Sequence, residues 1–252
     1  MIYLTGCTHY YYLSNVQNIP MFREKKEYRF SVNAGGGDQA SSSDINAAYS
    51  ITNKFAIMFN YMQVKAGNEK GNTNFASAKY YEAAFGYYKP LNKYFVFETY
   101  IGLANCKQHH QYSESDLWSG SNYIIGTSDL IFTKFFIQPS IGAHWKAFDC
   151  IVSTRLTNLN FTQITNNISQ SSSEFANLNL IEKNRNTFLT ETSLTIRVGF
   201  KNLKLQMQGQ GVSNLTHTDL KFINSQSSIG LIMNFSNNDL KNLFKRRKVY
   251  SK

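Results

Sequence analysis

From Tyr28 to Phe235 apolar and polar side chains alternate in short runs, the period of strands whose successive residues point to opposite faces. Ten such runs are read, over about 27–35, 44–51, 54–65, 77–89, 93–105, 128–143, 147–160, 187–200, 203–213 and 227–235. In the fifth, Phe95, Phe97, Thr99, Ile101 and Leu103 stand opposite Tyr94, Val96, Glu98, Tyr100, Gly102 and Ala104. In the eighth, Phe188, Leu194, Ile196 and Val198 share one parity, and Glu191, Ser193 and Arg197 share the other. Each run therefore has one face suited to hydrocarbon and one that is not.

The connections alternate as well. Thr52-Asn53, Lys89 to Asn92, the stretch around His144 to Lys146, and Lys201-Asn202 are tight and made of turn residues. The segments 35–43, 66–76, 106–127, 161–186 and 214–226 are longer and polar. Strict alternation puts the short turns at one end and the long loops at the other, the asymmetry of barrels with short periplasmic turns and long external loops. An even strand count then puts both termini on the short-turn side.

Period alone does not decide between lipid and water, because a soluble barrel shows the same alternation with its faces reversed. Two features favour lipid outside. Gly86, Gly102, Gly142, Gly199 and Gly230 share the parity of the charged residues, as expected of a crowded concave interior. Tyr28, Tyr87, Tyr88, Tyr94, Phe95, Trp145, Phe148, Phe200 and Phe235 gather beside the short turns, where an interfacial belt would sit. Nothing approaches the roughly 18 consecutive apolar residues of a membrane helix, and only helices and closed barrels satisfy every backbone group in lipid. The fold read is all-β: a closed antiparallel transmembrane β-barrel of about ten strands, with eight or twelve as alternatives. It divides into an N-terminal periplasmic segment (1–26), the barrel (27–235) and a basic periplasmic tail (236–252), located in a bacterial outer membrane.

Charge changes this picture little. The net charge of +10 comes from scattered Lys and Arg, except for Lys241, Lys245, Arg246, Arg247 and Lys248 in the tail. Outer-membrane lipid is therefore the expected partner, and nucleic acid is not. Cysteines are three, at spacings of neither a metal site nor a disulfide framework. Cys106 and Cys150 fall near opposite ends of their strands, too far apart for a bridge. Cys7 ends Leu4-Thr5-Gly6-Cys7, a sequence like the lipobox at which a bacterial cysteine receives lipid. Only Met1, Ile2 and Tyr3 precede it, so the alternatives are a start further upstream or an ordinary exposed cysteine.

Together with Ile19-Pro20-Met21-Phe22, Glu24-Lys25-Lys26-Glu27 and the strand, turn and strand from Ala47 to Met58, this motif gives the chain its resemblance. It resembles the small outer-membrane β-barrel proteins of Bacteroidota, many of them lipoproteins. The resemblance implies location and fold, and no reaction; lipidation of Cys7 is expected from the lipobox-like motif.

The inward parity carries Arg29, Glu82, Glu98, Lys134, Asp149, Arg155, Glu191, Arg197 and Lys204. Both signs are present, which reads as an ion-pair network filling a narrow interior, with a path for protons or small ions as the sharper alternative. Arg197 is expected to pair with Glu191 or Glu98. The loops hold His109, His110, Glu114, Asp116, Trp118 and His217, without the spacing of a metal site or catalytic set, so no cofactor, metal or catalytic residue is expected. Tyr112, Trp118, Tyr123 and Phe175, with Leu178, Leu180 and Ile181, are the candidates for binding at the loops. The function expected is a non-enzymatic barrel with a filled polar lumen. Its external loops bind a protein, glycan or surface ligand, as in an accessory subunit of a larger membrane complex. An outer-face enzyme acting on lipid or peptide and a narrow channel are the alternatives.

Overall fold

A computed structural model describes residues 9–38, 40–68, 73–115, 120–170, 172–200, 202–216 and 220–236. Ten strands run in chain order: β1 (Tyr28–Gly37), β2 (Ala40–Ser50), β3 (Phe55–Gly67), β4 (Phe75–Pro90), β5 (Phe95–Ser115), β6 (Asn122–His144), β7 (Phe148–Asn166), β8 (Asn186–Gly199), β9 (Leu203–Asn214) and β10 (Ser225–Phe235). One helix, α1 (Ser173–Lys183), lies between β7 and β8. Each strand pairs antiparallel with the next, and β1 pairs with β10 from Tyr28↔Phe235 to Gly36↔Ser227, closing the barrel. Closure leaves no unpaired edge, the condition for strands in lipid.

The faces divide as the alternation predicts. Leu103, Phe85, Phe188 and Leu194 are exposed outward, whereas Glu98, Tyr100, Glu191 and Lys204 are fully enclosed. Apolar outside and polar inside is the polarity of a barrel solvated by lipid. Glycines on the inward face make room for large neighbours: a Cβ at Gly102 would stand 2.3 Å from the Phe136 ring, and one at Gly142 2.6 Å from Met21 Cε. At the short-turn end Tyr94, Trp145 and Phe148 form a chain of ring contacts at 6.2 and 5.7 Å. Tyr88, which the sequence places in this belt, points inward instead, against Phe22 at 5.6 Å.

The long strands overshoot the apolar belt. An apolar band about 25 Å tall needs roughly ten residues of a tilted strand, whereas β5 has 21 and β6 has 23. Past Leu103 the outward positions of β5 are Asn105, Lys107, His109 and Gln111. Most of the expected loop 106–127 is therefore strand, which continues to Ser115 and resumes at Asn122. Likewise β7 continues to Asn166 and α1 occupies much of the expected loop 161–186. Ser172 caps α1 by accepting from the Glu174 N–H, and the buried Leu178 and Ile181 hold it against the mouth of the barrel. Cys106 and Cys150 are free thiols.

The largest departure concerns the segment before β1, expected to lie in the periplasm. Residues 11–22 are buried inside the barrel. The segment starts at the long-loop end, where Tyr12 bridges Phe222, and leaves at the short-turn end, where Arg23 donates to the Asn92 carbonyl. His9 consequently lies at the long-loop end and Phe235 at the short-turn end, so the described part of the segment before β1 departs from its expected place on the short-turn side. The physical reason is in its composition: residues 9–22 contain no Asp, Glu, Lys or Arg, so the segment adds amides, hydroxyls and rings to a charged lumen without adding a formal charge.

Candidate functional site in the lumen and at its mouth

The middle of the lumen is one connected polar cluster. Arg155 donates from Nε to Gln138 Oε1 at 3.0 Å and from Nη1 to Asn15 Oδ1 at 2.8 Å. It also pairs with Glu82 at 3.4 Å and Glu191 at 3.6 Å, and its guanidinium lies 4.4 Å from the Phe136 ring centroid. Lys134 pairs with Glu82 at 3.1 Å and donates to Asn15 Oδ1 at 2.8 Å. Glu191 accepts from Tyr12 at 2.6 Å, from Thr157 at 2.8 Å, and from Ser14. A charge in a low-dielectric interior persists only when paired and hydrogen-bonded, and these groups meet that condition through residues of the threaded segment as well as of the wall.

Nearer the short turns, Lys204 donates to Asp149 at 2.8 Å, and His144 bonds the same oxygen at 2.6 Å. Arg29 pairs with Glu27 at 2.6 Å. Glu98 accepts from the Met21 N–H at 3.0 Å, holding Met21 at φ 57°, a left-handed backbone unusual without glycine. The sequence-based pairing of Arg197 with Glu191 is corrected, because Glu191 is engaged by Arg155. Arg197 donates to Gln206 Oε1 and to the Ile19 carbonyl, both at 2.7 Å, and its charge faces Asp149 and Glu98.

The threaded backbone forms no regular structure, so its N–H and C=O groups need other partners. Side chains of the wall supply them. Asp44 accepts from Val16 N–H at 3.1 Å, and Gln208 both accepts from Gln17 N–H at 2.8 Å and donates to Gln17 C=O at 3.0 Å. Gln138 donates to Asn18 C=O at 2.9 Å, and Arg29 to Pro20 C=O at 3.0 Å. Irregular backbone at membrane depth is tolerated where protein encloses it in this way. The inward parity of Gln206, Gln208 and Gln210 is legible in the sequence, but not that such amides bond a threaded backbone.

At the mouth the predicted residues scatter. Tyr112 points into the barrel and bonds Ser128 Oγ at 2.8 Å, so it is not a loop residue. Tyr123 stands on β6, exposed, and donates to Glu114 at 3.2 Å. Phe175 on α1 lies against the buried cluster of Tyr11, Phe132, Leu178 and Ile181. His109 faces outward and meets Asp129 at 2.8 Å, whereas His110 faces inward, so the two imidazoles occupy opposite faces of β5. Cys7, Asp116, Trp118, His217 and the basic cluster of the tail lie outside the described residues. Among the described residues no group of three His, Cys, Asp or Glu could hold a metal ion.

No protein-family model matches the chain, and no curated protein matches its sequence. Among solved structures it is similar to the outer membrane protease OmpT from Escherichia coli, at 10% identity and TM-score 0.44, covering 83% of this chain and 97% of that one. It is also similar to the COG4313 outer membrane channel from Pseudomonas putida F1, at 10% identity and TM-score 0.43, covering 87% and 100%. The N-terminal β-barrel domain of Pseudomonas aeruginosa OprF matches at 7% identity and TM-score 0.34, covering 84% and 99%. At these identities and scores the likeness carries no argument about what this chain does.

Proposed function

We propose that the protein is a bacterial outer-membrane barrel sealed by its own N-terminal segment, which acts by presenting its long-loop end to a protein, glycan or surface ligand and not by conducting or by catalysis. The observation that carries this reading is the course of residues 9–23 through the lumen, bonded to the wall from His9 at one end to Arg23 at the other. With the interior occupied, the extended strands, α1 and the loops are what remains for recognition. The proposal includes a lipid on Cys7 and kinship with the small Bacteroidota barrels, supported by the sequence motifs alone.

Insertion of an epitope at Gln170, beside α1, and separately at Asn92, in a short turn, tests the orientation. Antibody should stain intact cells carrying the first and reach the second only after permeabilisation. The opposite pattern would invert the barrel, and recovery in a soluble fraction would remove it from the membrane. In planar bilayers the full chain should be silent, and a steady conductance would favour the channel alternative.

A further inference from the structure

The long-loop end of the lumen is less completely filled than the middle. Between the threaded segment and the inner faces of β3, β4 and β5 lies a cavity of about 90 Å³, walled by Leu13, Val64, Ala78 and Tyr80, with Asp38 at its edge. A single water needs only about 10–15 Å³ by this kind of measure, so the space suits a ring or short chain.

His110 supplies a polar point in this wall. Gln108 donates through its amide nitrogen to the Tyr80 hydroxyl at 3.3 Å, leaving its oxygen to face His110 Nε2 at 3.4 Å. With the Gln108 amide in this orientation the imidazole carries its proton on Nε2, which leaves Nδ1 as a bare acceptor. That atom is buried and has no hydrogen-bond partner, an unfavourable condition that a donor from a ligand would relieve. His110 stands at the level of Ala76 and Ser128, beyond the outward Lys79 and Lys107 that end the apolar belt. Burial pushes its pKa down, with the neighbouring His9 and His109 acting in the same direction. The ring is therefore neutral, and the one carboxylate at the edge of the cavity disfavours anions.

We propose that this cavity binds a small uncharged amphiphile, its apolar body against Val64 and Ala78 and one hydroxyl or amide N–H donated to Nδ1 of His110. The His9 ring lies 5.7 Å away and is bonded to Asn74 at 3.0 Å; because Nδ1 itself is closed off, the ligand must displace this ring to reach it. This site rests on the surface-display reading only for the side of the membrane to which it opens.

The test uses the purified full chain in detergent and three probes that share a ring and a methyl group: p-cresol carries a donor, toluene none, and p-toluate a negative charge. In ¹⁵N-imidazole NMR titrations p-cresol should shift the His110 Nδ1 resonance saturably and bind about tenfold more tightly than toluene. His110→Phe should abolish that preference, and Ala78→Leu should weaken both probes by filling the space. Heat-modifiable gel migration checks that each variant is folded. Should His110→Phe fail to fold, the Nδ1 shift in the unaltered chain and the Ala78→Leu result decide. Equal affinity for p-cresol and toluene, tightest binding of p-toluate, unchanged binding in Ala78→Leu, or no saturation at all would overturn the site. Both ends of the barrel are open to solvent in detergent, so failure here leaves the display reading standing, and inverted epitopes leave this site standing.

Discussion

In the middle of the lumen, Arg155, Lys134, Glu82 and Glu191 are enclosed and each meets partners from both the wall and the threaded segment. A few residues closer to the long loops the lining becomes apolar. Phe132 meets Tyr80 at 5.6 Å and Phe161 at 5.3 Å, a cavity opens beside them, and the His110 Nδ1 goes unpaired. The same strands build both regions, so the contrast is one of placement along the axis. Ion pairs at membrane depth lock the plug where water is excluded, since mispairing there is most costly. Above the apolar belt the penalty relaxes, and incomplete filling is tolerated.

The contrast makes opposite predictions for removing a polar group. Arg155→Met should cost most, about 3–5 kcal/mol, because it leaves Glu82 and Glu191 buried without their shared cation. Adding Glu82→Gln should return part of the loss, and urea unfolding in lipid vesicles measures both. On the outer face of the same barrel, Leu194→Arg should cost about 2–4 kcal/mol by exposing a charge to hydrocarbon. A neutral result in the same assay would mean that this face meets water. Asn15→Ala should cost about 1–3 kcal/mol, since its Oδ1 accepts from both Lys134 and Arg155. Smallest and opposite in sign, His110→Phe should stabilise by about 1 kcal/mol by removing an unpaired acceptor. A comparable destabilisation would show that the midsection and the mouth obey one rule.

Much of the barrel was legible because lipid outside and charge inside force a period of two. Phe188, Leu194 and Val198 against Glu191, Ser193 and Arg197 define the orientation of β8 without reference to any neighbour. The reading stopped where that force stops. Beyond Leu103 both faces of β5 carry polar residues, so strand continued by ladder hydrogen bonds to Ser115 looked like loop. Helix α1 has three apolar residues toward the mouth, Phe175, Leu178 and Ile181, too few in one short turn-rich stretch to announce a helix. The threaded segment has no period at all, since an irregular chain is held by individual amides rather than by a ladder. Its only sequence sign was a lack of charge, which a reading by alternation passes over.

Threading also imposes an order on assembly. The seam between β1 and β10 joins the first and last strands of the chain, and once it closes, a lumen crossed by Arg155, Tyr100 and Phe136 offers no passage to a segment carrying Tyr11, Tyr12 and Phe22. Residues 11–22 are therefore expected to be laid against the inner wall while the sheet is still open. In that order they serve as a mandrel for the curling sheet, held by Gln208 and Gln210 of the penultimate strand through Gln17 and Ser14.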